Sequence, residues 1–303
     1  MNRELTARCI WLVDTISRYG RITRSELDRC WSRSRFGDGS GRGLPRRTFC
    51  RYREGAEELF DIVIECDPST YEYYIDDSGS RRTSVSEWLL DSAVTNEVLS
   101  QSRDVSERIF VEPVPSAREH LAPAIEALRQ NRSITFDYQA FNRATPSSGV
   151  VLEPYFLKLF RQRWYVTGRN AADGRIKTYA LDRLSNLRLN TESFEPDPTF
   201  DPCEYFRHSF GIVAGEGEPH DIELRAGALQ AKYLRALPLH HSQREHVHDG
   251  YSVFTYRMRI TADLIEELLS HGPSVEVLSP PGLRRAMTDA LRATLRLYEA
   301  DKN

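Results

Sequence analysis

Apolar positions in the first sixty residues recur at helical spacing. Leu5, Cys9, Leu12, Val13 and Ile16 share one stripe, which predicts a helix over about 3–18, ended by Gly20. Thr23-Arg24-Ser25-Glu26 has the form of a capping box, whose hydroxyl and carboxylate satisfy helix-end N–H groups reciprocally. The short helix it opens places Leu27, Cys30 and Trp31 on one side. A polar, glycine-rich loop follows over 32–43. A third helix is expected from Pro45, in the first helical position where its missing N–H costs nothing, to about Phe60. Its stripe is Phe49, Tyr52, Ala56, Leu59 and Phe60. Residues 61–66 and 71–75 then read as strands around the turn Asp67-Pro68-Ser69-Thr70. Three helices and a hairpin are the order of a winged helix-turn-helix, assigned to residues 1–78. The loop before its third helix is longer than the three or four residues usual for the motif.

Residues 79–130 read as a helical connector. A helix over 84–100 carries Trp88, Leu89, Val94 and Leu99, Pro113 and Pro115 break the pattern, and a second helix covers about 122–130. Two roles stay open for this segment, dimerisation and simple packing on the next domain. The period then changes to two. Ser133-Ile134-Thr135-Phe136-Asp137-Tyr138 alternates strictly, and further strands are expected over 150–160, 163–169, 175–184 and 187–190. Five short strands in succession suggest a small β-barrel over 131–200. The last part, 213–303, reads βαββαβα, with a hairpin around Asp249-Gly250, the order of a ferredoxin-like sandwich with one added helix. The fold class is therefore α+β and multidomain.

Charge divides the chain more sharply than its total of −3 suggests. Residues 1–53 hold thirteen Lys/Arg against five Asp/Glu, and the other 250 residues hold 28 against 39. A basic head on an acidic body points to a nucleic-acid-binding module joined to something else. The basic centre is Arg46-Arg47-Thr48-Phe49-Cys50-Arg51-Tyr52-Arg53. Positive charge in a first helical turn opposes the helix dipole, so these arginines have a use that outweighs that cost. A helix whose N-terminal half enters the DNA major groove has such a use. Arg46, Arg47, Thr48, Arg51 and Arg53 are the candidate DNA contacts, with Arg47 and Arg51 reading bases and Arg46 and Arg53 holding phosphate. An ordinary solvated basic helix is the alternative.

Five scattered cysteines without a C-x-x-C pair suggest free thiols in a reducing cytoplasm. No apolar run is long enough for a membrane span, and the N-terminal residues lack a signal-peptide core. His240-His241 with His246 and His248 has no nearby cysteine and is set aside as a metal site. No cofactor, metal or catalytic constellation is expected.

Leu152-Glu153-Pro154-Tyr155-Phe156-Leu157 followed by Arg163-Trp164-Tyr165-Val166-Thr167-Gly168-Arg169 resembles the signature of WYL-domain proteins, with Val166 as the third member of the naming triplet. Tyr179-Ala180-Leu181-Asp182-Arg183-Leu184 is similar to the family's second motif, a strand ending in Asp-Arg. Residues 234–240 and 281–284 are similar to its C-terminal extension. The resemblance implies a transcription regulator whose SH3/Sm-like middle barrel senses a nucleotide or nucleic acid. It implies a likeness to repressors that sit beside anti-phage defence genes.

The residues are compatible with this. Between Glu153 and Asn190 eight Lys/Arg face three acids. Alternation puts Trp164, Val166 and Gly168 on a core face and Arg163, Tyr165, Thr167 and Arg169 on a polar one. Arginines interleaved with aromatics suit nucleotides and single strands. Tyr138, Lys158, Arg163, Tyr165, Arg169, Tyr179 and Arg183 are the candidate ligand contacts. For Arg183 a structural ion pair is an equal alternative, and Lys158 is either a contact or a solvated lysine. The expected partners are a double-stranded DNA operator with an inverted repeat, a nucleotide or oligonucleotide effector, and a second copy of the chain. The rival readings are a nucleic-acid-processing enzyme and a ligand-free scaffold with a basic docking domain.

Overall fold

The structure, a computed structural model, describes residues 3–37, 41–76, 84–101, 103–110, 117–141 and 143–300. Pro113, Pro115 and part of the loop expected over 32–43 lie outside the described residues. The chain divides into two compact units, Met1–Glu112 and Pro113–Asn303.

The first unit runs α1 (Arg3–Tyr19), β1 (Ile22–Thr23), α2 (Arg24–Arg33), α3 (Arg46–Phe60), β2 (Ile64–Cys66), β3 (Glu72–Ile75) and α4 (Ser84–Gln101). The strands form an antiparallel sheet in the order β1-β3-β2. Leu12 and Ile16 of α1, Leu27 and Trp31 of α2, and Phe49 and Tyr52 of α3 meet in one core. The capping box at the start of α2 forms in full: Thr23 Oγ1 accepts from Glu26 N–H, and Glu26 Oε2 accepts from Thr23 N–H at 2.9 Å.

Three expectations need correction here. Pro45 caps α3 from outside rather than filling its first position. Leu59 is exposed, because at 100° per residue it sits about 80° off the Phe49–Ala56–Phe60 line. In α4 the residue that reaches the core is Leu90, flanked by Ala93 and Val94, while Trp88, Leu89 and Leu99 are exposed.

The second unit begins with α5 (Arg118–Gln130), which starts a turn before the expected 122 and carries Pro123 inside it. A five-stranded antiparallel sheet follows: β4 (Arg132–Tyr138), β5 (Ser147–Phe160), β6 (Arg163–Asn170), β7 (Ile176–Ala180) and β8 (Leu184–Ser193), in the order β7-β6-β5-β4-β8. Arg161 and Gln162 both take positive φ (49° and 62°), giving β5 and β6 the two-residue turn that matches strand twist. Ala124 and Ala127 of α5 pack against Ile134, Phe136, Leu152 and Val166. Gly168 is fixed by contact rather than by turning: a Cβ there would collide with the Glu153 carbonyl on β5.

Two readings of this sheet change. The Asp182-Arg183 pair does not end a strand but sits on a 3-10 turn, Leu181–Arg183. Tyr165 and Thr167 are buried, so β6 does not present the open polar face that alternation suggests.

After α6 (Pro202–Phe206) come β9 (His220–Gly227), α7 (Ala228–Ala236), β10 (Arg244–Val247), β11 (Tyr251–Met258), α8 (Ala262–Ser270), β12 (Val275–Ser279) and α9 (Pro281–Ala300). The four strands are antiparallel in the order β10-β11-β9-β12. Along β9 the inward residues Ile222, Leu224 and Ala226 alternate with exposed ones, so one face carries the core with α7 and α8. The linker between the sheets is held from both sides. Lys158 Nζ on β5 donates to Gly211 O at 2.6 Å, and Asp263 Oδ2 on α8 accepts from Ile212 N–H at 2.7 Å and Val213 N–H at 3.0 Å.

Candidate nucleic-acid interface and ligand groove

Helix α3 begins without a side-chain cap and without an acid in its first turn. The N–H groups of Arg46, Arg47 and Thr48 are therefore free of helical partners, a ready place for an anion. The entry to the helix is pinned by α2. Arg24 donates to the Leu44 carbonyl and pairs with Asp28 at 3.3 Å, and Asp28 Oδ1 accepts from Leu44 N–H at 2.9 Å. Phe49 and Tyr52 face the core, which turns Arg47 and Arg51 outward, 40° apart on the opposite side.

Arg46, Arg47 and Arg51 are exposed, and none has a carboxylate partner among the described residues. Thr48 is half-buried. Arg53 is also half-buried and lies 3.8 Å from Glu57, which in turn accepts from Ile64 N–H at 3.0 Å. The acids of α3, Glu54, Glu57 and Glu58, all lie in its C-terminal half. The helix thus shows a positive N-terminal half and a negative C-terminal one.

In the second unit five of the seven candidate ligand residues fall into two places. Tyr138 and Tyr179 line a groove of about 690 Å³, together with Arg143, Ser147, Ser148, Gly149, Asn170 and Lys177. Their rings meet edge-on at 4.9 Å. Tyr179 is nearly buried and its hydroxyl accepts from Asn170 Nδ2 at 3.0 Å; burial pushes its pKa up, against that hydrogen bond. Lys177 pairs with Asp173 at 2.5 Å. Arg143, Asn170 and Lys177 escaped the sequence reading. Ser147-Ser148-Gly149, at the start of β5, forms one lip of the groove.

The second place is a charged cluster. Arg163 pairs with Asp182, whose other oxygen is buried without a partner. The Arg183 guanidinium lies 3.6 Å from the Phe141 ring centre, with its Nε buried and unpartnered. Tyr165 is close to both arginines: burial pushes its hydroxyl pKa up, and the two positive charges oppose that. An aromatic hydroxyl, two guanidinium groups and one carboxylate are therefore gathered around the 3-10 turn.

Lys158 and Arg169 stand apart. Besides its bond to Gly211, Lys158 Nζ lies 3.7 Å from the Phe206 ring centre, and burial pushes its pKa down to about 8. Arg169 is engaged with Glu153 at 2.5 Å.

Among the described residues no group of three or more His, Cys, Asp or Glu is placed to hold a metal. His240 is committed locally: Ser242 Oγ lies 2.8 Å from Nδ1, and Nε2 lies 2.9 Å from Arg207 O. All five cysteines are free. No helix among the described residues is long and apolar enough to cross a membrane.

The WYL domain family matches residues 119–189, and the WCX domain family matches residues 218–295. No curated protein matches. Among solved structures, the chain is similar to proteasome accessory factor B/C (PafBC) of Arthrobacter aurescens, at 22% identity and a TM-score of 0.34, over 95% of this chain and 46% of that one. It is also similar to a CRISPR Cas-related protein, at 13% identity and a TM-score of 0.41, over 99% of this chain and 84% of that one. The chain thus spans about half of the PafBC chain. The matched stretches contain the motifs that carry the sequence resemblance, and the chain contains a WYL domain followed by a WCX domain.

Proposed function

We propose that this protein is a sequence-specific DNA-binding transcription regulator, acting as a repressor in the cytoplasm, whose WYL domain responds to a nucleotide or oligonucleotide. The observation that carries the reading is the N-terminal half of α3, where Arg46, Arg47 and Arg51 stand exposed with no carboxylate partner among the described residues. The element order α1-β1-α2-α3-β2-β3, with a three-stranded sheet, supports a winged helix-turn-helix in which α3 is the reading helix. The five-stranded antiparallel sheet under α5 supports an SH3-like barrel, and the strand order β10-β11-β9-β12 supports a ferredoxin-like C-terminal domain.

In this reading Arg47 and Arg51 meet guanine edges, while Arg46 and the free N–H groups at the start of α3 meet phosphate. The effector stacks a base on Tyr138 or Tyr179, and Arg143 and Lys177 face its phosphates. Arg163 and Arg183 form the neighbouring anion-facing cluster. The effector acts by preferring one of two arrangements of a dimer that reads an inverted repeat, since equal affinity for both would shift nothing. Release from DNA is the direction expected of a repressor, and a setting beside phage-defence genes belongs to the same reading.

The test is fluorescence anisotropy of the full chain on DNA from upstream of its own gene, with scrambled DNA as competitor. Competitor-resistant binding is expected, and Arg47→Ala or Arg51→Ala should cost about 1–3 kcal/mol and relax sequence preference. Unchanged specific affinity in both variants would remove α3 as the reading helix.

A further inference from the structure

The seam between the two sheets of the second unit encloses a cavity that the nucleic-acid reading does not use. It measures about 400 Å³ and is walled by Phe160 at the end of β5, Phe210 of the linker, and Tyr233, Leu234, Leu237 and Leu239 in and after α7. Phe160 and Phe210 meet edge-to-face at 5.9 Å. One edge is polar, made of Arg161 at the β5–β6 turn, Gln230 of α7, Glu267 of α8 and His271. The volume lies in the range of small-ligand sites, which are mostly apolar with a few placed polar groups.

We propose that this cavity binds a small, uncharged aromatic molecule carrying a hydrogen-bond acceptor. The apolar character follows from the walls. Tyr233 and Leu237 stand 64% and 79% exposed at the rim, so large apolar side chains already border the opening. The absence of net charge follows from the polar edge. Arg161 and Glu267 already neutralise one another, and a charged ligand would have to break that pair or lie beside a like charge. The acceptor follows from the donors. Arg161 carries five N–H donors and commits one terminal nitrogen to Glu267. Its guanidinium lies 5.4 Å and 5.7 Å from the Phe160 and Phe210 ring centres, so an aromatic body against those rings brings its polar tip to Arg161. The same edge holds an incomplete hydrogen-bond set. Gln230 Nε2 donates to His271 Nδ1 at 3.3 Å, which leaves the ring hydrogen on Nε2, and that atom is buried without a partner, 3.7 Å from Glu267.

Both walls come from different sheets, so such a ligand would touch the WYL hairpin and the WCX helices together. The inference does not rest on the DNA-binding reading, and its test contains no nucleic acid.

The probe is 6-propionyl-2-(dimethylamino)naphthalene, an uncharged two-ring ketone whose emission shifts blue in apolar surroundings. Titrated with the full chain, it should show a saturable blue shift at one site per chain. Leu237→Asp and Tyr233→Asp, both at the exposed rim, should each weaken binding about tenfold. Leu295→Asp, on the exposed apolar stripe of α9, should leave it unchanged and so excludes dye adsorption there. The charged analogue 2-naphthoate should bind more weakly than the ketone. No saturable shift, rim variants with unchanged affinity, loss of binding in Leu295→Asp alone, or tighter binding of 2-naphthoate would each overturn the proposal.

Discussion

Replacing Arg163 with alanine should destabilise the second unit for a reason unrelated to any ligand. Asp182 is 9% exposed, and its ion-pair partner Arg163 is 29% exposed. One oxygen of Asp182 accepts from Arg163 and the other has no partner, so Arg163 is the cation that makes this carboxylate tolerable in its site. Removing one member of a buried pair costs about 3–5 kcal/mol, and partial exposure of Arg163 lowers the expected loss to about 2–3 kcal/mol. Removing both members strands no charge. Arg163→Ala with Asp182→Ala should therefore lose only packing, about 1 kcal/mol, leaving a coupling energy of about 2 kcal/mol. The assay is urea unfolding of the four full-length proteins of the double-mutant cycle, followed by far-UV circular dichroism, comparing the same transition in each. A coupling below about 0.5 kcal/mol would refute the argument. The result also governs how ligand data are read: loss of nucleotide binding in Arg163→Ala alone reports a missing contact only if the double variant, with its fold restored, loses it too.

Thr23→Ala should remove the bonds of the Thr23 hydroxyl, which accepts from Glu26 N–H and donates to Glu26 Oε2, while the backbone half of the capping box stays; the cost should be about 1 kcal/mol, seen as a lower Tm of the first unit by circular dichroism. The bonds from Thr23 hold the Glu26 carboxyl below the usual range, so this loss should shrink as Glu26 is protonated in acid. Gly168→Ala should force β5 and β6 apart at the Glu153 carbonyl and cost about 3 kcal/mol, measured by urea unfolding. His240 has its pKa pushed down, chiefly by burial, from 6.5 to about 4. The unfolded chain therefore takes up a proton first: the stability His240 contributes is complete above about pH 6.5 and is lost as pH falls towards 4, roughly 3 kcal/mol in all. An NMR titration showing the His240 ring charged at pH 6 would contradict this.

Most of the first unit is legible from spacing alone. The α3 stripe Phe49–Tyr52–Ala56–Phe60 is buried as its period requires, and the Thr23–Glu26 motif caps α2. The exceptions have local causes. Leu59 is apolar but lies at the wrong angle, and α4 offers two apolar faces, so the chain's own pattern does not say that Leu90 rather than Leu89 goes inward. In the second unit the alternation of β6 is present, but the inference from it fails at Tyr165 and Thr167. A strand reads as half-buried only if one face is open, and here Tyr165 and Thr167 on one face and Val166 and Gly168 on the other are all buried. The groove was the least legible feature. Its lining joins β4, the segment before β5, the start of β5, the end of β6 with the turn after it, and β7, residues up to 41 positions apart, and no local pattern in the sequence brings Arg143 to Lys177.

Counting charge also treats two kinds of arginine alike. Half of the eight Lys/Arg between Glu153 and Asn190 are paired inside the unit: Arg161 with Glu267, Arg163 with Asp182, Arg169 with Glu153 and Lys177 with Asp173. A ligand there meets preset donors with nearby carboxylates, so its affinity depends on geometry and should change little with salt. The α3 arginines face solvent without such partners, and a phosphate backbone meets their full charge. If Arg46 displaces one counterion at a phosphate, it adds about 0.9 per reading head to the slope with which log affinity for DNA falls with log salt. Arg46→Ala should then lower that slope by about 0.9 in anisotropy titrations at several salt concentrations, while Arg47→Ala and Arg51→Ala, which remove base contacts, should relax sequence preference and change the slope less. A slope unchanged by Arg46→Ala would mean that the charge binding phosphate lies elsewhere on the basic head, and that the lack of a partner at Arg46 reflects simple solvation.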